Sequence, residues 1–548
     1  MSELVNYSTG TTVTSNWLNR TQLREEGFAG YVCYQTGGIF YAKALTPGGT
    51  DYSGANTACD IPLQSALTAL TSGGTVFVKA GNHTLANQIK MLSGTTLRGE
   101  GIGKTIFTLA AGTGNLLATD AWIRNSDWAN GNTDILLQDF EVNGNRANRS
   151  RSTTTDDDNI WFDANNQGTG SNTCSRIFIN RVYSHDSNGH GIVLRYCKNS
   201  FLTGTVTSAN GRQAGDGFWH GTYLLRCTDS ELTGCQSYSN IDLSGFKTNI
   251  GTRITLANCI SSSNTTHGFE GGGADASNLS DTISYVNCIA NGNGTASSGD
   301  GWNWNVNTSK RVSLVGCTSI ANAQNGIVFN NITGGMINGC TVMNNAQLAN
   351  WQGIRMANST HINIKNNLCS DDQAGKTQTY GIYIVGGNDN CSIENNDLLG
   401  NLTAGFNSTS GDNPNGIVRN NLGYLPKGYS TTGNTGAVTN AINFAPVGSA
   451  GTYRMNASVD VTAWTTPASF TLVVTYKDAS GNARTETLAM ARGSTGATAA
   501  AITAIDRWYA LPFIFQIDNS ATAITLSTTG TFTGSPIYNL AGILEQVV

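Results

Sequence analysis

The sequence has few charged residues, few prolines and no long apolar run. Charged residues form 12% of its 548 residues, and it holds 8 prolines and 6 histidines. Its net charge of −5 argues against an electrostatic nucleic-acid partner, because nucleic acids attract basic surfaces. A membrane-spanning helix needs about 20 consecutive apolar residues. None of that length occurs, so membrane insertion is not expected either.

The amino-terminal segment also lacks the apolar core of an export signal. Residues 1–19 are mainly polar, which predicts synthesis in the cytoplasm without a signal peptide. The 12 cysteines include no C-x-x-C pair, so a cysteine metal site is not expected. Their even spacing favours a reduced column of interior residues over disulfides. The run 156–158 is either a surface loop or part of a calcium site, and no other cofactor is predicted.

A short phrase recurs through the middle of the chain. It consists of a variable residue, a glycine and a large apolar residue, and its glycines are 23 to 33 residues apart. The copies are His190-Gly191-Ile192, Asp216-Gly217-Phe218, Ser244-Gly245-Phe246, His267-Gly268-Phe269, Asp300-Gly301-Trp302, Asn325-Gly326-Ile327, Gln352-Gly353-Ile354, Tyr380-Gly381-Ile382 and Ala404-Gly405-Phe406. A second series with a similar period is Cys235, Cys259, Cys288, Cys317, Cys340 and Cys369. Such repeats predict a β-solenoid, whose coils stack about 4.8 Å apart.

Strand alternation assigns the residues of this phrase to faces of the solenoid. The large residue after each glycine is expected inside, as core. The next residue is expected outside, in an outward column: Trp161, Val193, Trp219, Lys247, Glu270, Asn303, Val328, Arg355, Tyr383 and Asn407. The residue before each glycine forms a bend column: Asp158, His190, Asp216, Ser244, His267, Asp300, Asn325 and Gln352. A third column contains Asp163, Arg195, Asn249 and Asn305.

The segments on either side of the repeats differ in character. Residues 60–70 predict an amphipathic helix with Asp60 as N-cap and an apolar face of Ile61, Leu63, Leu67 and Leu70, which would cover the open end of the solenoid. Residues 446–548 alternate as short strands with tight turns, which predicts an antiparallel β-sandwich. The predicted domains are a leader at 1–55, a β-helix with its capping helix at 56–425, a linker at 426–445 and the sandwich at 446–548.

The residues Gly74-Thr-Val-Phe-Val-Lys-Ala-Gly81 and Leu97-Arg-Gly-Glu-Gly101, together with the preceding helix, resemble the opening of the pectate-lyase-like superfamily. The similarity is greatest to its bacteriophage tailspike branch and covers residues 20–425. The resemblance implies an all-β fold, a right-handed parallel β-helix. It also implies a homotrimer in the virion that binds a bacterial surface polysaccharide and attaches through its N-terminus to a phage baseplate or tail protein. The superfamily includes lyases, hydrolases, epimerases and binding proteins, so the fold does not fix the chemistry.

The outward and bend columns contain an unusual share of the chain's few charged residues. Stacked carboxylates at coil spacing fall near the separations that glycosidases use, so Glu270, Asp300 and Asp216 are predicted catalytic residues. Lys247 would keep Glu270 ionised, and His267 is a fifth candidate. The predicted substrate-binding residues include two tryptophans as sugar-stacking platforms: Trp161, Trp219, Asn303, Arg355, Tyr383, Asp163 and Arg195.

Three functions remain open at this point. The first is glycoside hydrolysis by paired carboxylates. The second is a polysaccharide lyase on uronate polymers, in which Lys247 and Arg355 would neutralise the substrate carboxylate. The third is a virion fibre that binds glycan without cleaving it. A solvated face of mutual ion pairs would also explain the charges, without any site.

Overall fold

The computed structural model describes two compact units, Met1–Arg355 and Met356–Val548. The described residues are 30–46, 48–54, 58–113, 119–150, 156–164, 172–212, 219–273, 278–295, 298–306, 308–348, 350–408, 413, 416–422, 431–434, 442–444, 451–463, 469–478, 480–492, 498–499, 507–511, 513–517, 524–531 and 537–546. Within these ranges, no helix is both long and apolar enough to cross a membrane.

The first unit begins with a hairpin and a helix. Strands Gly30–Thr36 and Ile39–Ala44 pair in antiparallel fashion around Gly37 and Gly38, and Tyr52–Gly54 pairs with the second strand. The helix spans Asp60–Ala69, which confirms the predicted capping element.

Two details of the predicted helix are wrong. Cys59 is the N-cap, and the buried Asp60 carboxylate instead accepts hydrogen bonds from Ala86 N at 3.2 Å and Asn87 Nδ2 at 2.6 Å. Ile61 is 66% exposed, whereas Leu63 and Leu67 are fully buried. The carboxylate therefore joins the helix to the first coils, and the apolar face is narrower than the sequence suggests.

Parallel strands build the coils of the first unit. One sheet carries the candidate site and is called the site sheet here. Its strands in this unit are β1 (Ile89–Met91), β2 (Thr119–Asn125), β3 (Asp156–Phe162), β4 (Ile192–Arg195), β5 (Thr222–Leu225), β6 (Phe246–Asn249), β7 (Phe269–Gly272), β8 (Trp302–Val306) and β9 (Ile327–Asn330), each paired in parallel with the next.

The other walls are formed by a larger parallel sheet. Its strands in the first unit are Gly74–Val78, Gly81–Leu85, Thr95–Arg98, Thr105–Leu109, Thr133–Asn143, Cys174–His185, Cys197–Lys198, Phe201–Thr203, Val206–Ser208, Thr228–Thr233, Gln236–Tyr238, Thr252–Ala257, Ile260–Ser262, Ser280–Val286, Ile289–Asn291, Ser309–Val315, Thr318–Ile320, Ile332–Asn338 and Thr341–Met343. A short 3-10 helix, Arg146–Asn148, precedes the strand Arg149–Ser150, which pairs with Gly112–Thr113.

The interior of the coils is filled as the repeat predicts. The rings of Phe246, Phe269 and Trp302 stack on consecutive coils with centroid distances of 5.2 and 4.9 Å, and all three are buried. The parallel β-helix predicted from the repeat is therefore confirmed, and Trp302 is a core residue.

One copy of the predicted phrase is wrong. Thr222 pairs with Ile192 on one side and Phe246 on the other, so the copy in this coil is His220-Gly221-Thr222. The predicted Asp216-Gly217-Phe218 lies outside the described residues. Gly217 and Gly221 lie only four residues apart, and both fit the period. The large apolar residue Phe218 makes the first glycine the better match to the phrase, although the second occupies the coil.

The recurring glycine has a steric cause. A Cβ atom built on Gly245 would overlap Ser261 Oγ and lie 2.7 Å from Asn264 Nδ2 and 3.1 Å from the carbonyl oxygen of Gly268. Asn264 belongs to a buried ladder, in which it donates to Asn293 Oδ1 at 2.9 Å and Asn240 donates to it at 2.7 Å. A side chain at the glycine would therefore push apart the asparagine ladder and the next coil.

The cysteines behave as predicted. All twelve are free and buried, and thiols of the repeat contact main-chain oxygens; Cys259 Sγ, for example, lies 3.4 Å from the oxygen of Leu232. The interpretation as a reduced interior column is confirmed.

The second unit contains further parallel strands and two antiparallel sheets. The parallel strands are Thr360–Lys365, Leu368–Ser370, Tyr380–Val385, Ser392–Glu394, Ala404–Ser408 and Ile417–Arg419; Gln352–Ala357 lies at the division between the units. One antiparallel sheet contains Thr431–Asn434, Gly451–Ala463, Met490–Arg492, Thr498–Ala499, Arg507–Ala510, Phe513–Ile517 and Ile537–Gln546. The other contains Ile442–Phe444, Ser469–Lys477, Ala483–Thr487 and Ile524–Thr531.

The two antiparallel sheets pack as a sandwich. The ring of Tyr476 contacts those of Phe513 and Phe515 from the opposite sheet, at 6.2 and 4.4 Å. Two strands inside the predicted linker, Thr431–Asn434 and Ile442–Phe444, pair with these sheets. The domain limits derived from the sequence otherwise stay a prediction.

Candidate functional site

The bend column is a hydrogen-bonded ladder along the site sheet. In six steps, a side chain accepts the main-chain N–H of the bend residue on the next coil. The pairs, acceptor first, are Asp158 Oδ1 with His190 (2.5 Å), His190 Nδ1 with His220 (2.8 Å), His220 Nδ1 with Ser244 (3.3 Å), His267 Nδ1 with Asp300 (3.1 Å), Asp300 Oδ1 with Asn325 (2.9 Å) and Asn325 Oδ1 with Gln352 (3.1 Å). Carboxylate, imidazole and carboxamide side chains thus all accept the same main-chain hydrogen at these six steps.

This ladder sets the protonation of two histidines. In a neutral imidazole one nitrogen accepts and the other carries the hydrogen. Because Nδ1 of His190 and Nδ1 of His220 both accept main-chain N–H groups, each ring carries its hydrogen on Nε2. Burial, reinforced by the charge of Lys247, lowers the pKa of His220 well below its ordinary value. His220 is therefore a neutral hydrogen-bond donor.

Lys247 and Glu270 occupy adjacent places in the outward column. Their strands β6 and β7 are in register at these residues, and Lys247 Nζ lies 2.6 Å from Glu270 Oε1. The second oxygen, Oε2, accepts the hydroxyl of Ser244 at 2.6 Å and lies 3.9 Å from His220 Nδ1. Both carboxylate oxygens of Glu270 therefore have partners.

The surroundings of Glu270 favour its ionised form. Burial raises its pKa, but the charge of Lys247, which lies against Oε1, outweighs burial and lowers the pKa to about 2. Glu270 is therefore a carboxylate at neutral pH, as the sequence predicts, and it can accept a proton or attack a carbon centre.

His267, on the coil of Glu270, and Asp300, on the next coil, form a second pair. His267 Nδ1 lies 3.3 Å from Asp300 Oδ2. Asn303 Nδ2 donates to Asp300 Oδ2 at 2.9 Å and lies 2.9 Å from His267 Nε2. Burial lowers the pKa of His267, but Asp300 outweighs burial and raises it above the ordinary value. Lys247, Glu270, His267 and Asp300 are called the acid–base cluster below.

Tyr223 and His220 flank the acid–base cluster, and the sequence pattern predicts a role in the site for neither of them. Tyr223 occupies the outward column between Val193 and Lys247, where Trp219 was predicted. The ring centroids of His190 and His220 are 5.5 Å apart and nearly parallel, and each is 5.3 Å from the ring of Tyr223. Trp219 is half-buried and contacts His190 edge-on at 5.1 Å. The glycine of His220-Gly221 was the available signal for these residues.

Two predicted substrate contacts are buried. Trp161 has the predicted register, opposite Val193, but its ring is only 5% exposed and packs against Trp128 at 5.2 Å. The expectation of an exposed stacking surface is wrong, because a loop residue covers the ring. Asp163 is also buried, and it binds Arg195 through two hydrogen bonds of 3.0 and 2.8 Å.

The remaining predicted residues have no contact with the acid–base cluster among the described hydrogen bonds and ion pairs, or lie outside the described residues. Asp216 is not among the described residues. Arg355 lies on Gln352–Ala357 and is half-buried. Tyr383 belongs to the second unit, where its ring stacks on Tyr380 at 5.5 Å. The outward wall as a whole is more buried than the repeat implies.

The described residues offer no metal centre. Among them, no group of three or more histidine, cysteine, aspartate or glutamate side chains is arranged to hold an ion. In the run 156–158, Asp157 forms a buried ion pair with Arg149 at 2.9 Å and accepts Trp122 Nε1 at 2.8 Å. Asp158 supports the bend of His190. The carboxylates of Asp157 and Asp158 therefore both have structural partners from neighbouring segments of the chain.

The comparisons with known proteins concern the fold and one phage relative. No family model matches the chain. A "Pre-neck appendage protein" of Bacillus phage B103 is 27% identical over 195 residues, which are 35% of this chain and 20% of that protein. The chain thus spans about a fifth of the length of this relative.

Solved structures are similar over about two thirds of this chain. The A-module of mannuronan C-5 epimerase AlgE4 from Azotobacter vinelandii superposes with a TM-score of 0.56 at 19% identity, over 66% of this chain and 96% of that one. The pre-mature gene product 12 of bacteriophage phi29 gives a TM-score of 0.50 at 16% identity, over 68% and 54%. The chain therefore has the parallel β-helix fold of these structures.

Proposed function

We propose that this protein is a phage appendage subunit that binds and cleaves a bacterial surface polysaccharide at the site sheet. The observation that carries the proposal is the acid–base cluster. Two charged pairs, Lys247 with Glu270 and His267 with Asp300, occupy neighbouring coils of one wall. Elsewhere the chain is poor in charge, with 12% charged residues. Titratable groups whose pKa values are shifted in opposite directions are typical of acid–base sites.

The favoured chemistry is glycoside hydrolysis. Glu270, with a pKa of about 2, serves as the base that activates water or as the nucleophile. His267 accepts the Asp300 main-chain N–H only while its ring is neutral. The Asp300 carboxylate lies 3.3 Å from the same Nδ1 and raises the pKa of the ring, so the protonated ring contacts this carboxylate instead and supplies its Nε2 proton to the leaving oxygen. Asp300 then supports the acid instead of acting as the acid itself. This assignment modifies the paired-carboxylate mechanism that the sequence suggests.

The substrate would lie along the partly exposed groups of the same wall. Tyr223 and Trp219 offer aromatic surfaces for sugar rings. The buried, neutral His220 packs against Tyr223 at 5.3 Å and supports that surface from below. Both aromatic side chains lie within one or two coils of Glu270, so neighbouring sugar units could contact them while the bond between them is cleaved.

A lyase on uronate polymers is the second candidate, and the placement of Tyr223 favours it. Tyr223 lies next to Lys247 in the outward column and 5.3 Å from the ring of His220. In a lyase, Lys247 would neutralise the substrate carboxylate. A proton acceptor would then remove the hydrogen on the adjacent carbon while a phenol protonates the leaving oxygen.

The phage relative supports a place in the virion. A pre-neck appendage protein is by name a virion component. The proposal includes attachment of this protein through its N-terminus and a homotrimeric state. A fibre that binds glycan without cleaving it is the non-enzymatic alternative.

The test is an assay of polymer cleavage on a panel of capsular and lipopolysaccharide glycans. Wild type is compared with Glu270→Gln and Asp300→Asn, and with Asp229→Asn as a matched control. Asp229 forms an exposed ion pair with Arg253 at 2.5 Å on a strand outside the site sheet. We expect new reducing ends for wild type and the control, and a large loss for the two site variants. Ultraviolet absorbance of the products would indicate the lyase. Binding without any change in polymer length, or undiminished cleavage by Glu270→Gln, would contradict the proposal.

A further inference from the structure

Ser244 is the exception in the bend column. The six other ladder steps described above join a side chain to the main-chain N–H of the next coil. Ser244 instead turns its hydroxyl toward the outward column and donates to Glu270 Oε2 at 2.6 Å. Its Oγ also lies 3.3 Å from Thr266 Oγ1. At this coil, the side chain of the bend residue therefore contacts Glu270 instead of the main-chain N–H of the next bend residue.

Ser244 also contacts the second functional group of this coil. Its side chain is fully buried, and its main-chain N–H donates to Nδ1 of His220 at 3.3 Å. One residue thus contacts both Glu270 and His220, through different atoms. A serine fits this position because its short side chain reaches Oε2 and leaves room for Lys247 on the other oxygen.

We propose that Ser244 is a positioning residue for the reaction proposed above, with its hydroxyl holding the Glu270 carboxylate beside Lys247 and its main-chain N–H holding His220 as an Nε2–H donor. The inference rests on the proposed function, because it concerns the same site. It adds a residue that does not itself touch the reacting atoms.

The charges around Glu270 make the contribution of Ser244 measurable. The groups that face this carboxylate are Lys247, His220 and His267, and all three remain when the hydroxyl is removed. A hydrogen bond to the charged form favours ionisation. Ser244→Ala should therefore raise the pKa of Glu270 while the ion pair with Lys247 persists.

The first arm of the test is independent of any substrate. The full chain is labelled with ¹³C at the glutamate carboxyl carbon, and the Glu270 signal is assigned by its loss in Glu270→Gln. We expect Ser244→Ala to raise the pKa of Glu270 by about one unit and Ser244→Thr, which keeps the hydroxyl, to restore it. Ser261→Ala is the matched control, because this buried hydroxyl donates to the oxygen of Gly268 at 2.7 Å.

The second arm measures polymer cleavage. Ser244→Ala should lower kcat about 10-fold with little change in KM, and Ser244→Thr should recover most of it. An unchanged Glu270 titration in Ser244→Ala, or the same change in Ser261→Ala, would overturn the inference. If wild type cleaves no polymer, the proposed function fails, while the titration arm still decides the role of Ser244.

Discussion

Lys247 and Glu270 lie opposite each other on adjacent coils, with Nζ 2.6 Å from Oε1 and side chains only 19% and 11% exposed. Removing one member of such a pair leaves a poorly solvated charge, whereas removing both does not. Lys247→Met should therefore lower the free energy of unfolding by about 3 kcal/mol. The double variant Lys247→Met/Glu270→Leu should lose clearly less than the sum of the two single variants, measured by denaturant unfolding. Additive losses would show that the pair is not coupled.

The pH dependence of cleavage should report Glu270. Its pKa lies at about 2, below the ordinary value of 4.5. Its contribution to stability is therefore complete above the ordinary value and is lost as the pH falls toward 2. Lys247→Met removes the main charge that opposes burial, so the acid limb of the rate profile should move to higher pH. A profile that stays in place would separate Glu270 from the acid limb.

The alkaline limb should report His267. Its raised pKa, which Asp300 maintains against burial, means that the protonated ring stabilises the fold below about pH 6.5 and that this contribution is lost as the pH rises through the raised pKa. Asp300→Asn keeps the shape of the side chain and removes its charge. We expect the alkaline limb to move to lower pH, with ring titration of His267 by NMR as the direct measurement. An unshifted ring titration would contradict the assignment.

The glycine column should be intolerant of a methyl group. Gly245→Ala places Cβ against Ser261 Oγ and within 2.7 Å of Asn264 Nδ2, and overpacking of this kind costs about 2 kcal/mol. Gly375→Ala is the control, because no atom lies within 4 Å of its added Cβ. Thermal unfolding should show a clear decrease in Tm for the first variant and almost none for the second.

The buried thiols should react only after unfolding. All twelve cysteines are free and buried, so a thiol reagent should find almost none in the native protein and all twelve in denaturant. A reductant should leave Tm unchanged. A lower Tm with reductant would reveal a disulfide that the structure does not contain.

The sequence predicts most of the fold because its period is a direct consequence of coil stacking. The stacked Phe246, Phe269 and Trp302 follow from alternation alone, and so does the approach of Lys247 to Glu270. Errors arise where the period is ambiguous or where another segment intervenes. The choice between Gly217 and Gly221 leaves His220 and Tyr223 out of the predicted columns. The ring of Trp128, which comes from a loop, covers Trp161. Neither effect is encoded in the spacing of the repeat.

Side chains as different as those of Asp158, His190, Asn325 and Asp300 perform the same structural task at the bend, since each receives one amide hydrogen from the following turn of the backbone. The scaffold therefore does not depend on which of them is present. Recombination or point substitution can therefore change the functional side chains of one coil and leave the neighbouring coils intact. Under the proposed function, a phage that meets an altered host surface could adapt this protein in the same way without having to evolve a new fold.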